Sequence, residues 1–170
     1  KTICVGNIYL GGTGKTSLCI KINEILKRKN VRSCFVKKFY KNQLDEQKIL
    51  EKNGQAFFSK NRIDSIKQAE QSKFDVAIID DGLQDRSINY DKRIVCFNNI
   101  NWIGNGMVIP SGPLRESLYN IKKYDFIFLN GNLENLENIK KEILKIHSEA
   151  NIYIGQYKVL NINEINLENN

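Results

Sequence analysis

The chain has 170 residues, 41% of them hydrophobic, and carries a formal net charge of +7. That length suffices for one domain with a substantial core, and the absence of any run of about 18 apolar residues excludes a transmembrane helix from the sequence. The positive charge suits an anionic partner (a nucleotide, a nucleic acid or an anionic membrane surface), although a Lys-rich solvated surface would give the same balance.

Residues 2–8 form an apolar run that predicts a β-strand, and the sequence Tyr-Leu-Gly-Gly-Thr-Gly-Lys-Thr follows it. The next residues, 15–29, have the spacing of an amphipathic helix. A strand, a glycine loop and a helix in this order are typical of a phosphate-binding loop, in which backbone N–H groups surround an anion. In such loops the lysine, here Lys15, reaches the β- and γ-phosphates, and the hydroxyl of Thr16 is a Mg²⁺ ligand. The alternative is a turn that only joins the two elements.

The predicted loop departs from the usual pattern at one position, because Tyr9 occupies the first glycine slot. The glycines that follow supply the flexibility that the loop needs. The predicted nucleotide-binding residues are Tyr9, Leu10, Gly11, Gly12, Thr13, Gly14, Lys15 and Thr16.

A second strand is predicted at 31–39, and basic and aromatic side chains occupy 37–41 at its end. These side chains either touch phosphate or lipid headgroups or form a solvated strand end. Asp45 and Glu46 follow at the start of a predicted helix, 45–53. A carboxylate there could accept the proton of an attacking hydroxyl, as in kinases, but spacing alone favours Asp45 as a helix cap.

A short strand at 56–58 and a helix at 63–72 precede the second strong pattern of the sequence, the buried strand 74–80. This strand ends in two carboxylates, Asp80 and Asp81, before a glycine. In a nucleotide-binding sheet this is the position of the acid that holds Mg²⁺ beside the phosphates. A turn that merely closes the strand is the alternative.

The segment 103–116 contains both prolines of the chain and predicts a rigid loop leading into a helix at 114–123. Arg115, at the start of that helix, could bind a phosphate bidentately or could form a weak surface pair with Glu116. The other predicted elements are strands at 93–97, 124–129 and 152–155 and a helix at 133–148.

Alternation of strands and helices predicts an α/β fold of the P-loop NTPase type, with a mainly parallel sheet and helices on both faces. We expect one nucleotide-binding domain over 1–160 and a tail over 161–170. Four cysteines without pairing or metal-ligand spacing predict small buried side chains in a reducing compartment. Because the chain starts at Lys1, almost directly in a strand, we expect it to be a piece of a longer protein.

Four blocks in this order, 5–16, 45–46, 80–84 and 104–116, resemble the tetraacyldisaccharide 4'-kinase family, the lipid A kinases of Gram-negative bacteria. The resemblance covers most of the chain to about residue 160. It implies transfer of the γ-phosphate of ATP, with Mg²⁺, to the 4'-hydroxyl of a lipid A precursor, a tetraacyl glucosamine disaccharide 1-phosphate. It also implies a peripheral enzyme on an anionic membrane surface, the cytoplasmic face of the bacterial inner membrane. We expect no nucleic-acid partner, because the sequence has no nucleic-acid-binding motif and no aromatic platform.

The resemblance assigns roles to individual residues. The implied catalytic residues are Lys15, Asp45, Asp80 and Asp81, with Asp45 as the general base. The implied metal ligands are Thr16, Asp80 and Asp81, and the implied substrate contacts are Tyr40, Glu46, Arg115 and Glu116.

Two local departures separate the chain from the family pattern: a Ser-Arg-Gly-Tyr-Gly-type run is replaced at 37–41, and Asp85 stands where the family has His. From the resemblance, we expect the family's membrane-contacting N-terminal helix and its C-terminal part, which carries a His partner for the catalytic Asp, to lie outside the 170 residues given. The alternatives are an ATPase or GTPase that acts as a nucleotide switch, and a truncated, inactive ATP-binding copy.

Overall fold

Strands and helices alternate along the chain in the computed structural model, which describes residues 1–41, 43–131 and 134–156. The strands are β1 (Thr2–Gly6), β2 (Ser33–Lys38), β3 (Ala56–Ser59), β4 (Val76–Asp80), β5 (Lys92–Asn98), β6 (Phe126–Asn130) and β7 (Ile152–Gly155). The α-helices are α1 (Lys15–Arg28), α2 (Leu44–Asn53), α3 (Arg62–Gln71) and α4 (Leu136–Ile146), and a 3₁₀ helix spans Leu118–Lys123. The predicted tail at 161–170 lies outside the described residues, as does Leu133, where the last predicted helix was to begin.

The seven described strands form one sheet in the order β3-β2-β4-β1-β5-β6-β7, and every pairing is parallel. The register sets Asp80 of β4 beside Val5 of β1 on one side and Lys37 of β2 on the other. Because the strands are parallel, the loop after β1 and the carboxylates after β4 lie at the same edge of the sheet.

Helices cover both faces of the sheet, which confirms the predicted fold class. On one face, α1 and α2 pack on a core cluster that includes Val5, Phe35 and Ile78. On the other, α3 lies over β2 and β3, and α4 lies with the 3₁₀ helix over β5 and β6. All four cysteines are buried and free, as predicted. Each fully buried aliphatic or aromatic side chain of these clusters contributes about 1.5–3 kcal/mol relative to its exposed state.

The predicted helix at 114–123 is wrong over its first residues. Leu114 is fully buried and extended, bridged to both Tyr9 and Val108. Its N–H donates to the carbonyl of Met107 (3.1 Å), while the N–H of Arg115 donates to the carbonyl of Ile8 (2.6 Å). These long-range bonds hold the backbone out of a helical turn. The helical segment starts only after Ser117, whose hydroxyl accepts from Tyr119 N.

Candidate active site

The loop between β1 and α1 is held in one shape by hydrogen bonds from outside it. Asn7 is fully buried, and its Nδ2 donates to the carbonyls of Tyr9 (2.6 Å) and Gly11 (3.2 Å). The N–H of Leu10 donates to the carbonyl of Pro113 (2.8 Å), which ties the loop to the proline-containing segment. Gly14, at the N-cap of α1, has φ 80°, a conformation that L side chains rarely adopt.

The same loop offers donors that the protein itself does not use. Within the described residues, no protein acceptor bonds the N–H groups of 11–14, and the buried hydroxyl of Thr13 has no partner. A Cβ built on Gly12 would meet nothing within 4 Å. Lys15, the first residue of α1, forms no ion pair within the described residues. Free amides, a free lysine and a helix N-terminus together suit a bound polyanion.

A chain of polar side chains lies directly beneath the loop, and we call Thr16, Lys37, Glu46 and Asp80 the inner cluster. Asp80 is fully buried, and its Oδ2 accepts from Thr16 Oγ1 (3.0 Å) and from Lys37 Nζ (2.8 Å). Lys37 also donates to the carboxylate of Glu46. The second oxygen of Asp80, Oδ1, is buried without a partner.

Lys37 is the site residue whose position the sequence reasoning missed. Neither interpretation of 37–41 fits it, because Lys37 is 3% exposed and pairs with carboxylates. Burial by itself lowers the pKa of Lys37. The neighbouring carboxylates of Asp80 and Glu46 raise it by more than burial lowers it, so the pKa lies above its usual value. Its register position beside Asp80 in the parallel sheet is the signal that could have revealed it.

A second group of side chains lies at the rim of the same edge, and we call Asp81, Gln84, Arg115, Glu116 and Tyr124 the rim cluster. Asp81 has φ 60°, and its Oδ1 accepts from Arg115 Nη1 (3.0 Å). Gln84 Nε2 donates to Glu116 Oε1 (3.1 Å), which also accepts from the hydroxyl of Tyr124 (2.6 Å). Burial, followed by the Glu116 carboxylate, raises the pKa of Tyr124. This group therefore holds Asp81 and Glu116 in defined positions while leaving them partly open to solvent.

The structure corrects the expected setting of Arg115. This residue does not begin a helix, and its guanidinium pairs with Asp81 rather than with Glu116. The segment that carries it is attached to the phosphate loop through Ile8 and Leu10.

Arg62, at the start of α3, is a further site residue that no sequence pattern singled out. Its buried guanidinium donates to the carbonyl of Asp81 and to Asp85 Oδ2 (3.1 Å). The pKa of Asp85 is lowered, mainly because its carboxylate accepts a hydrogen bond from the hydroxyl of Ser87. Burial raises this pKa, and the hydrogen bond and charge of Arg62 help to lower it. Asp85, which stands where the family pattern has His, is thus the ion-pair partner of the buried Arg62.

Asp45 and Tyr40 are exposed residues between the end of β2 and the first turn of α2. Asp45 is exposed in the first turn of α2, next to Glu46. Asp45 is not the N-cap residue, which is Gln43, but it lies in the first turn of α2, where an acid is favoured as the helix-start interpretation expects. Tyr40 is 39% exposed, and Lys38 Nζ lies 5.7 Å from its ring centroid.

The oxygen donors of Thr16 and Asp80 fit a Mg²⁺ ion. No group of three or more His, Cys, Asp or Glu in the described ranges could hold a metal by itself. The hydroxyl of Thr16 and the unpartnered Oδ1 of Asp80 are hard oxygen donors at the phosphate loop. Mg²⁺ takes few protein ligands and is completed by phosphate oxygens and water, so this pair of residues fits it.

The chain matches the family model described as tetraacyldisaccharide-1-P 4'-kinase over residues 1–57 and 44–168. It is 59% identical over its whole length to a tetraacyldisaccharide 4'-kinase of Pelagibacter ubique (strain HTCC1062), of which it covers 54%. It is 37% identical over 68% of its length to one of Rickettsia canadensis (strain McKiel), of which it covers 40%. The chain therefore spans about half the length of the curated relatives it matches.

Solved structures show the same fold. The "apo" form of LpxK from Aquifex aeolicus in complex with ATP has a TM-score of 0.68 and 23% identity, covering 90% of this chain and 53% of that one. The hydrogenase maturation factor HypB from Archaeoglobus fulgidus has a TM-score of 0.57 and 14% identity, covering 91% and 80%. At these identities the likeness concerns the fold alone.

Proposed function

Since the chain belongs to the tetraacyldisaccharide 4'-kinase family, we propose that it is the phosphate-transferring part of an ATP-dependent lipid kinase. Its acceptor is the 4'-hydroxyl of a tetraacyl glucosamine disaccharide 1-phosphate. The observation that carries this proposal is the phosphate loop with free amides, followed by half-buried Thr16, whose hydroxyl is hydrogen-bonded to fully buried Asp80.

ATP is the proposed phosphate donor. The free amides of 11–14 and the unpaired Lys15 bind its phosphates and neutralise charge on the group in transfer. A structural neighbour with the same fold is an ATP complex, which supports the choice. Phosphoryl transfer depends on positioning and electrostatic stabilisation, and both are supplied by a loop of fixed shape.

Mg²⁺ is the proposed cofactor, held by Thr16 and Asp80 with Asp81 beside them; when bound, it neutralises phosphate charge. The inner cluster orients this pair. Lys37 holds Oδ2 of Asp80 and leaves Oδ1 without a protein partner.

Asp45 is the proposed general base. It lies in the first turn of α2, where the neighbouring Glu46 contacts Lys37 of the inner cluster. Its exposed carboxylate orients the sugar hydroxyl and takes its proton. Tyr40, Glu46, Arg115 and Glu116 are the proposed acceptor contacts around it.

The proposed location is the cytoplasmic face of the bacterial inner membrane. Within the described ranges, no helix has the length and apolar character needed to span a bilayer. A basic surface, at net charge +7, favours docking on anionic lipid by about 1 kcal/mol per well-placed Lys or Arg.

The test uses the enzyme in its full reading frame, with γ-labelled ATP, Mg²⁺ and tetraacyl disaccharide 1-phosphate in detergent micelles. We expect label in the lipid, with turnover reduced by several orders of magnitude in Lys15→Ala and strongly in Asp45→Ala. Asp64→Ala is the matched control, because Asp64 is an exposed aspartate in the first turn of α3.

Unchanged turnover in Lys15→Ala would refute the proposal. ATP hydrolysis stimulated by a protein partner, without a labelled lipid, would instead favour a nucleotide switch. Tight binding of MgATP with no turnover of any kind would favour an inactive copy.

A further inference from the structure

Two cavities meet at the rim cluster. One, of about 320 Å³, opens beside Lys38, Tyr40 and Asp81 at the proposed catalytic end. The other, of about 360 Å³, continues past Tyr90 and Tyr124. Gln84, Asp85 and Arg115 line both cavities, so the two cavities adjoin at these residues, and we refer to them together as the cleft.

The far end of this cleft, which we call the basic groove, is lined by Arg86, Arg93 and Lys123. None of these three cations forms an ion pair within the part of the chain that the structure describes. Arg93 is half-buried and uses Nη2 on Asn89 Oδ1 (3.0 Å), whereas Arg86 and Lys123 are exposed.

The carboxylates that line the groove are already engaged. Asp85 is held by Arg62 and by Ser87. Glu116 accepts from Gln84, Tyr124 and Asn120. Four cations and two carboxylates line this cavity, so its net charge is positive and attracts an anion.

The groove extends away from the phosphate loop. Arg93 lies near the amino end of β5, whose carboxyl end is Asn98. At about 3.3 Å per residue of parallel strand, Arg93 and Asn98 are separated by roughly 16 Å along the sheet. The cleft thus joins the proposed phosphate-transfer edge to a cationic site well removed from it.

We propose that the basic groove binds the 1-phosphate of the acceptor, a sugar phosphomonoester. This inference rests on the proposed function, because the acceptor then carries its 4'-hydroxyl and its anionic group at opposite ends of a disaccharide. With the 4'-hydroxyl beside Asp45, the reducing-end sugar extends along the cleft toward Arg93. Guanidinium groups bind phosphate through paired, charge-assisted hydrogen bonds, and Arg93 with Arg86 supplies two of them.

The first test compares kinetics of the full-length enzyme on two acceptors, with and without the 1-phosphate. In Arg93→Gln and in the Arg86→Gln/Lys123→Gln double variant, we expect the KM for the 1-phosphorylated acceptor to rise at least tenfold. The KM for ATP, and all kinetic constants for the acceptor without the 1-phosphate, should stay within twofold of the values for the unmodified enzyme.

Lys122→Gln is the matched control, since Lys122 neighbours Lys123 but does not line the groove. An equal KM for both acceptors in the unmodified enzyme, or a rise in Lys122→Gln as large as in Arg93→Gln, would overturn the assignment.

The second test does not depend on turnover. Calorimetric titration with glucosamine 1-phosphate should detect binding that Arg93→Gln weakens at least tenfold, and inorganic phosphate should compete more weakly. If the protein binds glucosamine 1-phosphate in this way but phosphorylates no lipid, the assignment of the basic groove as a sugar-phosphate site is supported and the kinase proposal is refuted. Equal binding of inorganic phosphate and glucosamine 1-phosphate would overturn the lipid assignment in favour of a free-phosphate site.

Discussion

The inner cluster and the rim cluster start from adjacent residues, yet their environments differ sharply. Asp80 is 0% exposed and shares its Oδ2 between Thr16 and Lys37, whereas the Asp81 side chain is 28% exposed and pairs with Arg115. Successive strand residues point to opposite faces, and Asp81 also turns out of the strand with φ 60°. Asp80 therefore lies in the core, away from solvent, whereas Asp81, the next residue, lies at the partly solvent-exposed rim.

The contrast predicts different consequences when a charge is removed. A buried ion that loses its partner keeps its full desolvation cost, so breaking a buried pair is strongly destabilising. A half-exposed ion regains water, so a rim pair contributes little to stability. The inner cluster should accordingly matter for both folding and chemistry, and the rim cluster mainly for chemistry.

The largest expected effect is on stability, from Lys37→Met. The substitution leaves Asp80 buried with only Thr16 as a partner, and we expect a loss of about 3–5 kcal/mol in the free energy of unfolding. Urea denaturation followed by circular dichroism measures it. Lys41→Met, an exposed lysine close by, is the control and should change stability by less than about 0.5 kcal/mol. Equal values for the two variants would remove the distinction between the clusters.

The next effect concerns turnover, from Asp80→Asn. The amide preserves shape but removes the charge beside the proposed metal and phosphates. We expect turnover to fall by about 10²–10³-fold, in the range seen when one preorganised electrostatic group is lost. Steady-state kinetics with saturating MgATP test this, with circular dichroism as a check on folding. Wild-type turnover in a folded Asp80→Asn protein would exclude Asp80 from the mechanism.

A smaller effect is expected at alkaline pH. The pKa of Lys37 is raised in the folded state, so its stabilising contribution is complete below its unfolded pKa of about 10.4 and is lost as pH rises through the folded value. The buried thiols have raised pKa values as well, so the relevant quantity is the difference between wild type and Lys37→Met. This difference should stay constant up to about pH 10 and shrink above it. A difference that grows with pH would contradict the assigned direction.

The smallest effect is expected from Arg115→Met in the rim cluster. Because the Arg115–Asp81 pair is partly exposed, we expect less than about 1 kcal/mol of lost stability, with reduced turnover on the lipid. The same denaturation series as for Lys37→Met provides the comparison. A loss of about 3 kcal/mol or more would show that the rim is as dependent on its ion pair as the core.

The sequence predicted the elements whose signals are local. The β1 loop, its helix and the apolar strand ending in Asp80 and Asp81 were identified, because glycine spacing and unbroken apolar runs are read within a few residues. The prediction of a helix at 114–123 was wrong over residues 114–116. Their conformation is set by hydrogen bonds to residues outside the segment, such as Ile8, rather than by their own helix propensity.

By itself, the sequence determined the order of strands and helices, the phosphate loop and the family. Tertiary structure alone decided that Lys37 would neutralise Asp80, that Arg62 would support Asp81, and that Arg86, Arg93 and Lys123 would line one groove. The reason is physical: loop chemistry is a property of consecutive residues. The partner of a buried charge, in contrast, depends on strand order and register, which bring residues far apart in sequence within hydrogen-bonding distance.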